Sequence, residues 1–350
     1  MNIKRFFVFI ACCSLLFGEE DDFDMLMGKN TKHWENVQNP EEIALLQKFR
    51  DLYNEKKHLM HATAAETKIP KVVHFIWLGP RAFPPESVEN VRNWIAKNPG
   101  WKFKFWTDRP RPAPCNGMET IVMAEYPFPY LGQYYAVSEN WGEKSDLLRY
   151  EILFAEGGVY VDHDANCLLP FEGLHAGYDF YCCLEAPHPP VAGLNITSGM
   201  GVVGSRSGHP VIKRVIDLIG AHWNALAEKY PGKDGFSRTQ IVMERTYLPL
   251  THVIKEGIGE NGNVDIVLPA AYFFAKSGIK SLYSKHFYGN SWAHVEGKNP
   301  PFERETKREL NKIDQKIDNA TLFSVVVLSF NLILIVSLIL LFRKQRKFHI

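Results

Sequence analysis

The chain reads as an α/β protein with a mostly parallel sheet flanked by helices, and three stretches carry that reading. Val159-Tyr160-Val161 has the composition of a buried strand; it follows a segment with Leu147, Leu148, Ile152 and Phe154 on one helical side and the helix-stopping pair Gly157-Gly158. Lys71 to Leu78 (KVVHFIWL) and Trp101 to Trp106 are two further strand-like runs, and Glu86 to Lys97 between them is helical. Such an alternation opens a doubly wound sheet.

Asp162 and Asp164 stand one residue apart at the end of the Val159 strand. Ligands of open α/β sheets bind at the carboxyl ends of strands, and hard oxygen ligands there suit Mg²⁺ or Mn²⁺ holding a diphosphate. An Asp pair alone is also common in turns, where it bonds its own backbone. Taken together, Ser145-Asp146, Arg149-Tyr150, Gly157-Gly158, Tyr160, Asp162 and Asp164 resemble the S-D-x-x-R-Y…G-G-x-Y-x-D-x-D signature of the glycosyltransferases with a sugar-binding DXD region. That family includes yeast mannosyltransferases, with the clostridial glucosylating toxins as distant relatives.

The resemblance implies a nucleotide-sugar-binding, Rossmann-like fold of the A type, a nucleoside-diphosphate sugar as donor, and Mn²⁺ or Mg²⁺. It places Asp146, Arg149, Tyr160 and Asp162 at the donor, with Asp162 chiefly on ribose or sugar hydroxyls and Asp164 chiefly on the cation. Trp77, in HFIWLG, is the candidate for stacking on the nucleotide base, although a strand tryptophan also serves as core. The segment His286-Phe287-Tyr288-Gly289-Asn290-Ser291-Trp292 resembles the family's C-terminal loop. From it His286 is expected as a metal or diphosphate ligand, with Asn290 and Ser291 as competitors and Trp292 near the diphosphate. Ser205 to Pro210 resembles a family connection in which an asparagine precedes the histidine by about nine residues; Met200 stands there, a departure that bears on sugar specificity.

The remaining elements follow in order. Asn39-Pro40-Glu41-Glu42 caps and opens a helix through Leu45, Leu46, Phe49 and Leu52, read as an N-terminal appendage. Met118 to Tyr135 is aromatic-rich and has no assigned structure; Phe128, Tyr130, Tyr134 and Tyr135 suit either an acceptor-side wall or packing. Tyr178 to Leu184, Met200 to Val203 and Val264 to Leu268 are strands. Helices are expected from Gly208-His209-Pro210 to about Tyr230 and from Ser237 to Ile254. In the signature helix Asp146 and Arg149 share a face, either toward a ligand or as a surface ion pair.

Both ends speak to address. Residues 1–18 pair Lys4-Arg5 with an apolar run too short to span a bilayer, suited to a signal peptide. Leu322 to Phe342 contains no charge, and as a helix it is about 32 Å long, enough to cross the hydrocarbon. Arg343, Lys344, Arg346 and Lys347 follow, so the positive-inside rule places the tail in the cytoplasm and the catalytic domain in the ER or Golgi lumen. The expected organisation is a signal peptide (1–18), a leader and helix (19–68), a catalytic domain (69–300), a charged stem (301–321), a transmembrane helix (322–342) and a basic tail (343–350).

A net charge of +1 in 350 residues argues against a nucleic-acid binder; the expected partners are a nucleotide sugar, a glycan or glycolipid acceptor and the membrane. Cys115, Cys167, Cys182 and Cys183 allow one or two disulfides in a lumen, and Asn195-Ile196-Thr197 is a candidate glycosylation site. The expected activity is hexose transfer to an acceptor hydroxyl, with retention implied by the resemblance. Two other readings are a glycoside hydrolase using Asp162 and Asp164 as its carboxylate pair and a catalytically silent sugar-binding membrane protein.

Overall fold

The computed structural model describes residues 22–63, 66–232, 235–259 and 262–289. Among the described residues nine strands follow in chain order: β1 (Val72–Trp77), β2 (Lys102–Thr107), β3 (Glu119–Val122), β4 (Gly158–Val161), β5 (Ala165–Cys167), β6 (Phe180–Leu184), β7 (Ser198–Ser205), β8 (Asp265–Leu268) and β9 (Ser284–His286). Seven of them form the central sheet in the order β3-β2-β1-β4-β7-β6-β8, and β5 pairs with β9 in a separate ribbon. All the sheet strands run parallel except β7, which is antiparallel to both β4 and β6. That reversal sets the amino end of β7 beside the carboxyl ends of β4 and β6.

The central strands are apolar because both faces of the sheet are covered. β4 is buried throughout, and β1 is buried from Val73 onward. The helix before β4 runs Trp141–Glu156 and carries Ser145, Asp146, Arg149 and Tyr150 of the signature. Its true cap is Asn140, whose side chain accepts from the N–H groups of Gly142 and Glu143. Gly157 ends it at φ 69, and at Gly158, φ 98, a Cβ would lie 2.6 Å from the Val72 carbonyl oxygen. Only glycines fit that approach between helix end and strand.

His209 caps the Pro210–Lys229 helix with its own ring nitrogen, as its place before the proline anticipates. The helical stretch expected over 237–254 is broken into Gly235–Val242, a π turn at Met243–Tyr247 and Leu248–Glu256. Within the unassigned aromatic region lie β3 and a short helix, Gly132–Val137. Tyr134 stacks near Trp223 at 4.8 Å and Phe128 packs between Tyr126 and Tyr135, whereas Tyr130 is exposed.

The Pro40–Lys56 helix begins at its expected cap, Asn39, yet it is built into the sheet domain and does not stand apart as an appendage. Glu42 is buried and accepts from the backbone of Asn195 and Ile196, Tyr53 bonds the Tyr272 hydroxyl, and Ala271 donates to the Leu26 carbonyl. Residues 22–61 thus share the core that begins, on sequence grounds, at Ile69.

Among the described residues Cys115, Cys167, Cys182 and Cys183 are free thiols, and no disulfide joins them. At the Asn195 glycosylation tripeptide the half-buried Asn195 donates its side-chain amide to the His188 carbonyl, and Thr197 is fully buried. Among the described residues no helix is long and apolar enough to cross a membrane. The signal segment, the stem, the Leu322–Phe342 run, the basic tail and the 290–300 end of the expected catalytic domain lie outside them.

Candidate active site

The site begins where β4 ends. Asp162 donates its backbone N–H to the Gly201 carbonyl at 2.7 Å, extending the β4–β7 ladder by one residue, and Ala165 N–H returns to the Asp162 carbonyl to close a turn. Both carboxylates of the turn approach His286, whereas the His163 ring makes other contacts. His163 bonds the Ser87 hydroxyl and meets Trp77 edge-on at 4.9 Å. The β5–β9 ribbon pairs Ala165 with His286, delivering an imidazole from more than a hundred residues away.

His286 Nε2 lies 3.2 Å from Asp162 Oδ2 and 3.4 Å from Asp164 Oδ1. One ligand atom from each of the three residues falls within 4.8 Å of the others. Asp164 is further held by the N–H of Phe287 on its carbonyl and the N–H of Gly289 on its carboxylate. Gly201 makes room for the group: a Cβ there would stand 2.7 Å from both Asp162 Oδ2 and His286 Nε2.

The charges are arranged to persist. Burial works against ionisation of Asp162, but the His286 hydrogen bond and the Arg149 guanidinium outweigh it and hold the carboxyl well below its ordinary value. Burial likewise disfavours a charged His286, yet the Asp164 and Asp162 carboxylates raise its pKa above the ordinary 6.5. His286 Nδ1 accepts the Tyr288 N–H, so in the neutral ring the proton sits on Nε2, facing both carboxylates.

Arg149 connects this cluster to the helix. Its side chain, 5% exposed, donates to the Met200 carbonyl at 2.8 Å, pairs with Asp146 at 2.8 Å and approaches Asp162 at 3.5 Å. The guanidinium lies 3.9 Å over the Tyr160 ring, whose hydroxyl donates to Asp162 at 2.6 Å. Asp146 also accepts from the Thr246 hydroxyl at 2.7 Å, and burial, only partly offset by Arg149, pushes its pKa up to about 6. The helical spacing therefore yields a buried pair at the site, not a solvated one.

Asp146, Arg149, Tyr160, Asp162, Asp164 and His286 are thus joined by direct contacts. Asp162 and Asp164 approach His286 Nε2 about equally, at 3.2 and 3.4 Å. Trp77 stands apart from that chain: it is 8% exposed, its indole N–H donates to the Arg81 carbonyl, and it meets the turn through His163. Asn290, Ser291 and Trp292 lie outside the described residues. Met200, at the family's asparagine position, turns its sulfur to the Tyr150 hydroxyl and presents only its carbonyl to Arg149.

Two contributors escaped sequence reasoning. Thr246 stands 100 residues from Asp146 and nothing local ties the two; Gly201 is signalled only by the glycine-rich run Ser198–Ser205.

Residues 84–181 match the family model described as "Glycosyltransferase sugar-binding region containing DXD motif". The resemblance read from the sequence holds. That match includes Asp146 to Asp164 and stops well short of His286. The chain is 28% identical over 193 residues to the subversion of eukaryotic traffic protein A of Legionella pneumophila, covering 50% of this chain and 27% of that protein. It is 29% identical over 175 residues to inositol phosphoceramide mannosyltransferase 3 of Schizosaccharomyces pombe, 49% of this chain and 42% of the relative. An uncharacterised glycosyltransferase of Acanthamoeba polyphaga mimivirus is 33% identical over 148 residues, 41% of this chain and 52% of its own length. The chain therefore spans about half or less of each of these three relatives.

Proposed function

We propose that the protein is a membrane-anchored, metal-dependent glycosyltransferase that moves a hexose from a nucleoside-diphosphate sugar to a hydroxyl of a glycan or glycolipid, with retention of configuration. The observation that carries this reading is the convergence of Asp162, Asp164 and His286 beside the buried Arg149. Two carboxylates and an imidazole form a donor set suited to Mn²⁺ or Mg²⁺, and Gly201 keeps the space between them open. A cation bound there would neutralise charge on the departing diphosphate. Around it, Asp146 and Arg149 would hold donor hydroxyls or phosphate, and Tyr160 would keep Asp162 and Arg149 in place.

The name of the fission-yeast relative makes mannose the first sugar to test and a lipid-borne acceptor the first class. Retention rests on the family resemblance, and the lumenal address and the single membrane span rest on the sequence. The hydrolase reading fares poorly for a specific reason. A glycosidase needs a protonated carboxyl opposite its partner across the scissile bond, whereas both aspartates here crowd one imidazole nitrogen and Asp162 is held ionised.

The test is release of nucleoside diphosphate by the purified protein from a panel of UDP- and GDP-hexoses, with Mn²⁺, Mg²⁺ or chelator. Metal-dependent hydrolysis of one donor is expected. Binding without turnover for every donor would favour the silent sugar-binding protein, and cleavage of finished glycosides without a nucleotide would favour the hydrolase.

A further inference from the structure

Three strands of the sheet end in a carboxylate: Asp108 follows β2, Asp162 follows β4 and Glu185 follows β6. All three therefore stand on the edge where an α/β sheet binds its ligands. Asp108 is consumed by the chain, since it accepts the Gly79 N–H and pairs with Arg109 and Arg111. Asp162 belongs to the cluster already described. Glu185 has no role in that cluster, yet it is built into the same edge.

Its surroundings are specific. Glu185 Oε1 accepts from the Tyr247 hydroxyl at 2.7 Å, and Oε2 accepts from Lys276 Nζ at 3.0 Å. The Glu185 side chain is 14% exposed and that of Lys276 24%, so the pair is sheltered without being sealed. The Tyr247 hydroxyl also meets Thr197, which stands directly before β7, while Gly201 within β7 lines the aspartate cluster. The π turn at Met243–Tyr247 makes the same connection from the helical side: consecutive residues diverge, Thr246 to Asp146 and Tyr247 to Glu185. Such turns recur at functional sites. Tyr288 bridges the two groups, donating its N–H to His286 while Lys276 lies 5.1 Å over its ring.

We infer that Glu185 and Lys276 form the subsite that binds the acceptor, holding neighbouring hydroxyls of a sugar or polyol next to the donor. The inference rests on the glycosyltransferase reading. A carboxylate oxygen has room for two hydrogen bonds and an ammonium has three donors, so this pair keeps capacity on both partners after bonding each other. It therefore offers an acceptor and a donor side by side, the complement of vicinal hydroxyls. Its charges cancel, which selects neutral hydroxyl-bearing ligands over ions. Burial opposes ionisation of Glu185, but Lys276 and Tyr247 hold it below the ordinary carboxylate range, so it accepts hydrogen bonds at neutral pH.

The test compares transfer with hydrolysis in the full chain, using the nucleotide sugar that the wild type hydrolyses and n-octyl α-mannoside, galactoside and glucoside as acceptor probes. Glu185→Gln should lower the ratio of transfer to hydrolysis at least tenfold, chiefly through a higher KM for the octyl glycoside. Because the single change leaves Lys276 without its partner, the double variant Glu185→Gln/Lys276→Met is measured beside it and should show the same fall. An unchanged ratio in the folded double variant overturns the assignment. Hydrolysis and transfer falling in proportion also overturn it, moving Glu185 to the donor. Absence of metal-dependent hydrolysis in the wild type instead overturns the glycosyltransferase reading beneath it.

Discussion

His74 and His286 both pack against β4, one near its start and one beyond its end, and they are bonded in opposite ways. His74 is fully buried; Nε2 donates to the Gly157 carbonyl at 2.8 Å, and Nδ1 accepts the Trp106 indole N–H at 3.1 Å. One proton, one acceptor and one donor match, so the neutral ring is satisfied and burial pushes its pKa down to about 3. At His286 the matching fails: Nδ1 already accepts the Tyr288 N–H, and Nε2 faces two carboxylates with one proton. A fold that closes its hydrogen bonds at one end of a strand and leaves anionic oxygens convergent at the other has left room for a cation.

The largest effect should come from removing a carboxylate from the unmatched end. Asp164→Asn keeps shape and one oxygen but loses charge, and should lower transfer roughly a thousandfold or more. Rates against Mn²⁺ concentration, with circular dichroism to confirm folding, decide it. Normal turnover with the same metal dependence would make Asp164 a turn residue only.

The matched end should respond to acid. His74 and His175 both have native pKa values of about 3, below the ordinary 6.5, and His175 is likewise satisfied by Ile69 and Tyr181. Between those values the unfolded chain binds protons that the native chain refuses, so stability rises with pH through the window and is lost as pH falls below 6.5. At pH 5 the loss should be on the order of 2 kcal/mol for each histidine. Because Asp146 and His286 shift in the opposite sense, the imidazole resonances of His74 and His175 test it directly. Both rings should stay neutral in the folded chain at pH 5, and protonation of either above pH 5 would contradict the buried neutral assignment.

Gly201→Ala sharpens the contrast without touching a charged group. Its methyl would enter the space between Asp162 and His286, 2.7 Å from each, so Mn²⁺ affinity should fall roughly ten- to a hundredfold, in the range seen when the support of metal ligands is disturbed. Titration calorimetry reads this directly, and unaltered affinity would mean that the three residues do not close on an ion. The smallest effect is expected from Arg149→Lys. An ammonium keeps the charge but cannot bond the Met200 carbonyl and Asp146 with one planar fork, so transfer should fall about tenfold. A loss as large as that of Asp164→Asn would show that the fork itself is indispensable.

The sequence by itself determined what depends on near neighbours: the strand ending at Asp162, the glycine stop at Gly157, the shared helical face of Asp146 and Arg149, and the cap at Asn39. Those features follow from periodicity and backbone preference over a few residues, which the chain carries locally. It also singled out His286 through resemblance, without the pairing that makes it useful. Only the tertiary structure decided that Ala165 meets His286 across a two-stranded ribbon and that a reversed β7 brings Gly201 against Asp162. It also decided that the Asp146–Arg149 pair is buried and that the Pro40–Lys56 helix docks through Glu42. These contacts join residues far apart in sequence through strand register and burial, and no local pattern encodes which distant partner will fill a given space.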